Sequence, residues 1–287
     1  MRLASFVANG RNSYGLISND NGVIDLGNRL EQKTLLELLR SGALNSAREF
    51  ETEKPDYALD DVKLSLPVQG GEKIICVGIN YPEREQEYKG ELTRGRYPNL
   101  FVRFPSSFSA PGDAIIRPKV SDQLDYEGEI VLVIGKSGRH IPQESAYAHI
   151  AAITAANEGT VRDWVKHGTK NITQGKNFDR SGSLGPWIVT TDELDRSQDL
   201  QIITKVNGDV RQNGSAKEMF WPFEELISYI STFTTLAPGD MILTGTPVGA
   251  GAHQAPPSYL VPGDVVEVEV TGVGTLRNQV EDETLIA

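Results

Sequence analysis

The chain has 287 residues, of which 39% are hydrophobic and 23% are charged, proportions typical of a soluble globular enzyme. Its length allows one large domain, or a large and a small one. A net charge of −11 without any basic block argues against nucleic acid or an anionic membrane as partner. No apolar segment is typical of a signal peptide or long enough to cross a bilayer, so the cytoplasm is the expected location.

The first part of the chain is predicted to form a small β-rich domain over residues 1–65. Turn signals such as Asn9-Gly10 separate its short apolar runs, as is typical of antiparallel hairpins. A linker at residues 66–71 then leads into the main domain, residues 70–287, which is predicted to open with a strand at Lys73–Gly78. The strands expected in the small domain are Arg2–Ala8, Ser13–Ser18 and Gly22–Leu26.

A charged segment follows the first strand of the main domain. Pro82 is tolerated in the first turn of a helix, so Glu83–Lys89 is predicted to start one. The segment contains Arg84 and Glu87, and a solvated helix face explains its composition without any function. The sequence leaves open whether residues 83–95 form an ordered wall or a lid that closes on substrate.

The most informative stretch is Asp125–Glu129, which runs directly into the apolar segment Ile130–Ile134. Strand side chains alternate, so Glu127 and Glu129 are predicted to lie on the same face. An apolar run without alternation indicates a strand covered on both faces, which puts the two carboxylates at the edge of a core. Like charges about 7 Å apart in such a place favour a raised pKa or a bound cation. A solvated strand end is the alternative.

A third carboxylate comes later in the chain. Pro142–Thr154 is predicted to be helical, and Ala151–Ala156 is small and apolar enough to be buried. Glu158 follows at the end of this segment. Three carboxylates are the number that a magnesium or manganese site uses, but sequence spacing alone does not bring Glu158 to the strand. Metal binding and solvation therefore both remain open at this point.

The remaining segments favour a β-rich α+β fold, because many short strands occur with few helices and without regular βαβ alternation. Leu184–Trp187 is predicted to be a loop, and Lys176 is interpreted as either a contact to a substrate carboxylate or a surface lysine. Asn207-Gly208 is predicted to be a hairpin turn of type I′ from its residue types. The glycine-rich loop Thr244–Gly251 lacks the lysine and the following helix of a phosphate-binding loop, which argues against a nucleotide site. The histidines show no metal-binding spacing and are interpreted as surface or structural residues: His140, His149, His167 and His253.

Six motifs, in order along the chain, resemble those of the fumarylacetoacetate hydrolase family. The match is collinear over roughly residues 70–280. The resemblance implies a mixed β-roll, often with a small amino-terminal domain and usually assembled as a homodimer. The motifs are Val77–Tyr81, Asp125–Glu129, Asn157–Asp163, Gly175–Asp179, Thr244–Pro247 and Gly263–Val266.

The resemblance also implies roles for individual residues. Glu127 and Glu129 correspond to metal ligands, and Glu158 lies where the family commonly has an aspartate ligand. Mg²⁺ is the expected cofactor, with Mn²⁺ or Ca²⁺ as alternatives, because octahedral sites of oxygen ligands accept glutamate. Lys176 corresponds to the family's active-site lysine and Thr246 to a threonine that contacts the substrate.

The departure at position 84 bears on the reaction. The family frequently has a histidine there, which activates water together with a glutamate at position 87. Arginine stays protonated and cannot act as a general base, so Glu87 or a neighbouring glutamate would have to take that role. Alternatively, Arg84 binds a second carboxylate of the substrate through its planar guanidinium. A further departure is Val165, where the family often has glutamine.

Three functions follow from this resemblance. The first is hydrolysis of a C–C bond in an acylpyruvate-type 2,4-dioxo acid, through a metal-stabilised enolate, as in aromatic catabolism. The second is decarboxylation, isomerisation or hydration of an unsaturated 2-oxo diacid, which the arginine at position 84 favours. The third is a metal-binding protein that has lost catalysis. The expected partner is a small 2-oxo acid.

Overall fold

The computed structural model describes residues 1–87, 94–168 and 171–284. The α+β class predicted from the sequence is confirmed, with strands predominating over short helices. The strands are β1 Arg2–Ala8, β2 Arg11–Ile17, β3 Gly22–Asp25, β4 Tyr57–Ala58, β5 Lys63–Leu64, β6 Ile74–Gly78, β7 Asn99–Val102, β8 Phe108–Ser109, β9 Ile115–Arg117, β10 Leu124–Asp125, β11 Gly128–Ile134, β12 Ile150–Asn157, β13 Thr160–Val161, β14 Gly182–Thr190, β15 Gln201–Val206, β16 Asp209–Ser215, β17 Met241–Leu243, β18 Val265–Val270 and β19 Gly274–Asp282. The α-helices are α1 Leu35–Ser41, α2 Gln143–Ala146, α3 Arg162–Val165, α4 Thr173–Lys176 and α5 Phe223–Phe233.

The main sheet runs through both halves of the described chain in the order β4-β3-β2-β1-β14-β12-β11-β17-β6-β7. Strand β11 lies inside it, between β12 and β17, and every one of its residues is buried. A second sheet has the order β16-β15-β18-β19-β9, and β10 pairs with β13 separately. The apolar segment after Glu129 is therefore a strand with neighbours on both edges.

The two faces of β11 contribute to two different hydrophobic cores. Ile130 and Leu132 pack into a core shared with the second sheet and α5. Val131 and Val133 pack into another core, which contains apolar residues of α1, β6 and β17. This arrangement confirms that the segment is covered on both faces, as the lack of alternation predicted.

The amino-terminal strands continue the main sheet. Strand β1 pairs antiparallel with β14, with Arg2 opposite Val189 and Leu3 opposite Ile188. Apolar side chains of β1, β2 and α1 share a core with Val131 and Val133 of β11. The division of the chain into domains of residues 1–65 and 70–287 stays a prediction.

Two predicted elements are wrong. The helix expected over Pro142–Thr154 ends at Ala146, and after one 3₁₀ turn the chain enters β12 at Ile150. Alanine favours helices, but β12 forms ladders with β11 and β14 on both edges, and this pairing overrides the local preference. The loop expected at Leu184–Trp187 lies within β14, where Pro186 falls in an irregularity of the pairing, a position that needs no N–H.

Other predictions agree with the structure. Asn207 and Gly208 have φ angles of 53° and 84°, as a two-residue turn of type I′ requires, and they connect β15 to β16. The charged segment after the first strand of the main domain is a 3₁₀ helix over Pro82–Gln86. Residues 88–93, which belong to the predicted helix and to the stretch considered as a lid, lie outside the described residues. No helix in the described ranges combines the length and apolarity needed to cross a membrane.

Replacement of Leu132 by alanine tests the central position of β11. The side chain is fully buried between the two sheets, so the substitution is expected to lower the free energy of unfolding by about 2–5 kcal/mol. The control is Val210→Ala, because Val210 is 59% exposed and its truncation should change stability by at most about 0.5 kcal/mol. Urea titration measures both values, and equal effects of the two substitutions would contradict the assignment of this core.

Candidate metal centre and substrate site

The structure brings the three predicted carboxylates together at one end of β11. Asn157 at the end of β12 lies opposite Gly128, and the Glu158 backbone N–H donates a 2.6 Å hydrogen bond to the Glu127 carbonyl. One carboxylate oxygen of each of Glu127, Glu129 and Glu158 lies within 4.8 Å of the others, and all three residues are buried. The pairing of β11 with β12 supplies the proximity that sequence spacing alone did not give.

Lys176 lies between two of these carboxylates. Its ammonium group donates hydrogen bonds to Glu127 Oε2, to Glu158 Oε2 at 2.5 Å and to Thr160 Oγ1 at 2.7 Å. The residue is 5% exposed, so the interpretation as a surface lysine is wrong. It ends α4, a single turn that leads back to the main sheet. A positive charge therefore occupies the space between Glu127 and Glu158.

Two arginines that the sequence analysis did not assign also contact the carboxylates. Arg103 donates from Nη1 to Glu158 Oε1 at 2.9 Å and to the Gly159 carbonyl at 2.9 Å. Arg162 donates from Nη2 to Glu127 Oε1 at 2.8 Å and from Nε to Asp125 Oδ2 at 2.7 Å. Arg162 belongs to one of the family motifs, which was an available signal.

No comparable signal marks Arg103, which follows the short edge strand β7 and is buried. The guanidinium also donates to the Ser107 carbonyl and to Ser181 Oγ, at 3.2 and 3.0 Å. The guanidinium carbon lies over the Phe108 ring, 4.4 Å from the ring centroid. Ser107 and Phe108 are near Arg103 in the chain, but Glu158 and Ser181 are distant from it in sequence, so the arrangement depends on the fold.

Burial and the neighbouring charges shift the pKa values of the three carboxylates in different directions. Burial disfavours ionisation of Glu127, but the nearby Arg162, Lys176 and Arg84 outweigh burial and hold its pKa well below the usual range. Burial raises the pKa of Glu129 well above the usual value, and the charges of Glu158 and Glu127 raise it further. Burial also raises the pKa of Glu158, although Lys176 and Arg103 oppose the shift. More positive charge is thus needed to ionise all three.

A hard divalent cation fits this set of residues. Glu129 accepts a 2.7 Å hydrogen bond from the Gly245 N–H but lies among like charges, so a further cation would stabilise its ionised form. Carboxylate oxygens are the ligands that Mg²⁺, Mn²⁺ and Ca²⁺ prefer. Glu127, Glu129 and Glu158 would hold the ion.

Arg84 and Glu87 border the site as a pair. Arg84 Nε donates to Glu87 Oε2 at 2.6 Å, and its Nη2 lies 3.8 Å from Glu127 Oε1. The other oxygen of Glu87 accepts from the backbone N–H groups of Gly249 and Ala250 at 2.8 and 3.2 Å. Both oxygens of Glu87 are therefore engaged, and this carboxylate connects the 3₁₀ segment to the glycine-rich loop.

Thr246 is buried in that loop and is oriented by Gln212, a residue that the sequence analysis did not single out. The Gln212 side-chain amide donates to Thr246 Oγ1 and to the Pro247 carbonyl, each at 2.8 Å. Its carbonyl accepts a 2.9 Å hydrogen bond from the N–H of Gly128, which lies between the two glutamates. Because Thr246 Oγ1 is an acceptor for Gln212, its own proton is left to donate elsewhere.

Comparison with known proteins identifies the family to which the chain belongs. The family model for the fumarylacetoacetate (FAA) hydrolase C-terminal region matches residues 73–281. The chain belongs to the fumarylacetoacetate hydrolase family. Its sequence is 38% identical to the mitochondrial oxaloacetate tautomerase FAHD2A of Bos taurus over 269 residues, which is 91% of this chain and 85% of the relative.

Solved structures of this family have the same fold. A fumarylacetoacetate hydrolase from the psychrophile Exiguobacterium antarcticum superposes with a TM-score of 0.84 at 33% identity, covering 99% of this chain and 100% of that one. A maleylpyruvate hydrolase from Sphingobium sp. SYK-6, solved in complex with manganese(II) ion and pyruvate, has a TM-score of 0.82 at 24% identity, with coverage of 99% and 100%. The resemblance inferred from the six motifs is confirmed.

Replacement of Gln212 by leucine tests its part in holding the site. The substitution leaves the buried Gly128 N–H without its acceptor and removes the donor to Thr246. We expect unfolding free energy to fall by about 1–3 kcal/mol for each buried group left unpaired. The matched control is Gln279→Leu, the same change at an exposed strand position. Equal urea midpoints for the two variants would contradict this role.

Proposed function

We propose that the protein is a divalent-metal-dependent isomerase that interconverts the enol and keto forms of a small 2-oxo diacid of the oxaloacetate class. The observation that carries the proposal is the position of Arg84, 3.8 Å from Glu127 and paired with Glu87, beside three converging carboxylates. The bovine relative, which is 38% identical, is an oxaloacetate tautomerase, and this supports the same reaction here. Isomerisation belongs to the second of the three functions considered from the sequence.

The surroundings of Glu87 favour isomerisation over hydrolysis. Hydrolysis requires a base that takes a proton from water, and arginine at position 84 cannot be that base. Both oxygens of Glu87 already accept hydrogen bonds from the protein, one from Arg84 and one from the Gly249 N–H, so this carboxylate is engaged as a partner of Arg84 and the glycine-rich loop. Tautomerisation requires no activated water, only a proton carrier and stabilisation of negative charge on the substrate oxygen.

The residues of the site suit a dianionic substrate. When bound, a divalent cation would act as a Lewis acid toward the two oxygens of the 2-oxo acid group. The Arg84 guanidinium would bind the second carboxylate, since its planar array of donors matches that group. The hydroxyl of Thr246, which accepts a hydrogen bond from Gln212, would donate a hydrogen bond to a substrate oxygen. Lys176 would balance the charge of Glu127 and Glu158.

Hydrolysis of an acylpyruvate is the second candidate, and with it a place in aromatic catabolism. It is supported by the hydrolase from Exiguobacterium antarcticum, which is 33% identical over nearly the whole chain. We also retain the homodimer and the cytoplasmic location as parts of the proposal. Sedimentation at twice the 31.4 kDa chain mass would support the dimer.

Metal binding is tested by calorimetry with Mn²⁺ and Mg²⁺. The wild-type protein is expected to bind one ion, and Glu129→Gln to weaken binding more than about 10-fold, because the substitution removes a charged ligand and keeps its shape. Glu281→Gln is the control, since Glu281 is exposed on β19 and should bind metal as the wild type does. Absence of any binding to the wild-type protein would overturn the metal centre.

The reaction is tested by following the enol form of oxaloacetate through its ultraviolet absorbance in the presence of Mg²⁺ or Mn²⁺. We expect faster ketonisation without release of carbon dioxide or cleavage. Acylpyruvates are assayed in parallel by product analysis. Formation of pyruvate and a carboxylic acid from them, with no effect on the oxaloacetate enol, would overturn the isomerase in favour of the hydrolase.

Arg84→Gln tests recognition of the second carboxylate. Loss of a charge-assisted contact worth about 1.5–3 kcal/mol should lower kcat/KM for the 2-oxo diacid by about 10–100-fold. Activity on an enol of a 2-oxo monoacid should change much less, because that substrate has no second carboxylate. Arg277→Gln, at a side chain 64% exposed, is the control. An equal loss for both substrates would show that Arg84 supports the site instead of selecting the substrate.

A further inference from the structure

A row of side chains with alternating charge leads from the metal centre toward solvent. Glu127 lies 3.8 Å from Arg84, Arg84 lies 2.6 Å from Glu87, and Glu87 Oε2 lies 4.0 Å from Nε2 of His253. The side chains of the first three residues are each 4% exposed, whereas that of His253 is 24% exposed. His253 therefore lies where this row reaches solvent.

His253 is also anchored to the metal centre from its other side. It ends the 3₁₀ helix Gly251–His253, whose first two N–H groups donate to the carboxylate oxygens of Asp125 at 2.8 and 3.0 Å. Asp125 pairs with Arg162, and Arg162 pairs with Glu127. The contacts with Asp125 thus hold the backbone of this turn beside the carboxylates, and the imidazole lies next to Glu87.

An imidazole differs chemically from the other charged groups of this row. Arg84 in this row, like Arg162 on the side of Asp125, remains protonated at any working pH, and Glu87 is held by hydrogen bonds on both oxygens. Histidine is the side chain whose ordinary pKa allows it to take up and release a proton near neutrality. Among the described residues, the other histidines have other neighbours: His149 contacts the Lys136 carbonyl, the His140 N–H donates to the Ser231 carbonyl, and the His167 ring packs against Trp164 at an interplanar angle of 42°.

We propose that His253, oriented by Glu87, is the group that carries the proton during tautomerisation and exchanges it with solvent. The imidazole would take the proton of the enol hydroxyl, leaving an enolate and an imidazolium. The imidazolium would then give a proton to C3 of the substrate, which yields the keto acid and restores the neutral imidazole. The cycle consumes no other reactant. This inference rests on the proposed function and adds the proton carrier to it.

The groups that face His253 support this role. Burial lowers the pKa of the imidazole, Glu87 and Asp125 raise it, and Arg162 and Arg84 lower it, with a net shift below the ordinary value. The neutral imidazole that can accept a proton is therefore favoured at neutral pH. On this basis Glu87 is a positioning residue, and its charge also tunes the basicity of His253.

The first test compares His253→Gln with the wild-type protein, both loaded with Mn²⁺. The rate of ketonisation is expected to fall by about 10²- to 10⁴-fold, with the metal affinity unchanged, and added imidazole should restore part of it. The rise of kcat/KM with pH that reflects the imidazole should be absent from the variant. His167→Gln, at an exposed histidine, should retain activity within about 2-fold of the wild type. Unchanged metal affinity also shows that the His253 variant is folded.

The second test measures proton transfer at C3 of a 2-oxo acid other than oxaloacetate. Exchange of the C3 protons of pyruvate in deuterated water is followed by NMR, and the pKa of the His253 ring is titrated in the wild type and in Glu87→Gln. Exchange should depend on His253, and loss of the Glu87 charge should lower the pKa of the ring. These readings separate a role in proton transfer from a merely structural one.

The outcomes are distinguishable. Ketonisation and exchange that both persist in His253→Gln would overturn the proton carrier and leave the proposed function standing. Exchange that requires His253, without any ketonisation of oxaloacetate, would overturn the tautomerase and keep the carrier. Absence of both activities from the wild-type protein would overturn both.

Discussion

The site depends on the burial of carboxylates that cannot all be ionised without more positive charge. The pairing of β11 with β12 brings the buried carboxylates of Glu127, Glu129 and Glu158 together, and the fold then surrounds them with Lys176, Arg103 and Arg162. Removing charges from water is costly, so such a cluster is retained only where its members are compensated. Among the residues that the structure describes, Glu127 and Glu158 have direct cationic partners. The third, Glu129, makes the centre receptive to a metal ion.

Much of this centre was predictable, because local sequence patterns indicate it. Strand alternation placed Glu127 and Glu129 on one face, and the unbroken apolar run after them indicated burial. The family motifs then indicated Glu158, Lys176 and Thr246. The contributions of Arg103 and Gln212 were not predictable, since each depends on contacts between segments far apart in sequence. A buried arginine has no local signature that distinguishes it from an exposed one.

The errors in the predicted fold have one common cause. The alanine-rich segment before Asn157 has a local preference for helix, yet it lies between two strands whose backbone groups require partners. Pro186 and its glycine neighbour suggested a loop, but the irregular pairing of β14 accommodates them. In both places the requirement to satisfy hydrogen bonds across a wide sheet outweighed the preference of the residues themselves. The hairpin at Asn207-Gly208, which depends on local geometry, was predicted correctly.

The pairing of β1 with β14 has a practical consequence for anyone who wishes to work with a shorter protein. Strand β14 is covered at its carboxyl end by Arg2 and Leu3, and apolar residues of the first 65 positions complete a core that reaches β11. A fragment beginning at the linker would present unpaired N–H and C=O groups beside freshly exposed apolar surface. Such an edge is a template for intermolecular strand addition. Truncation at the apparent domain boundary would therefore favour aggregation over a minimal active enzyme.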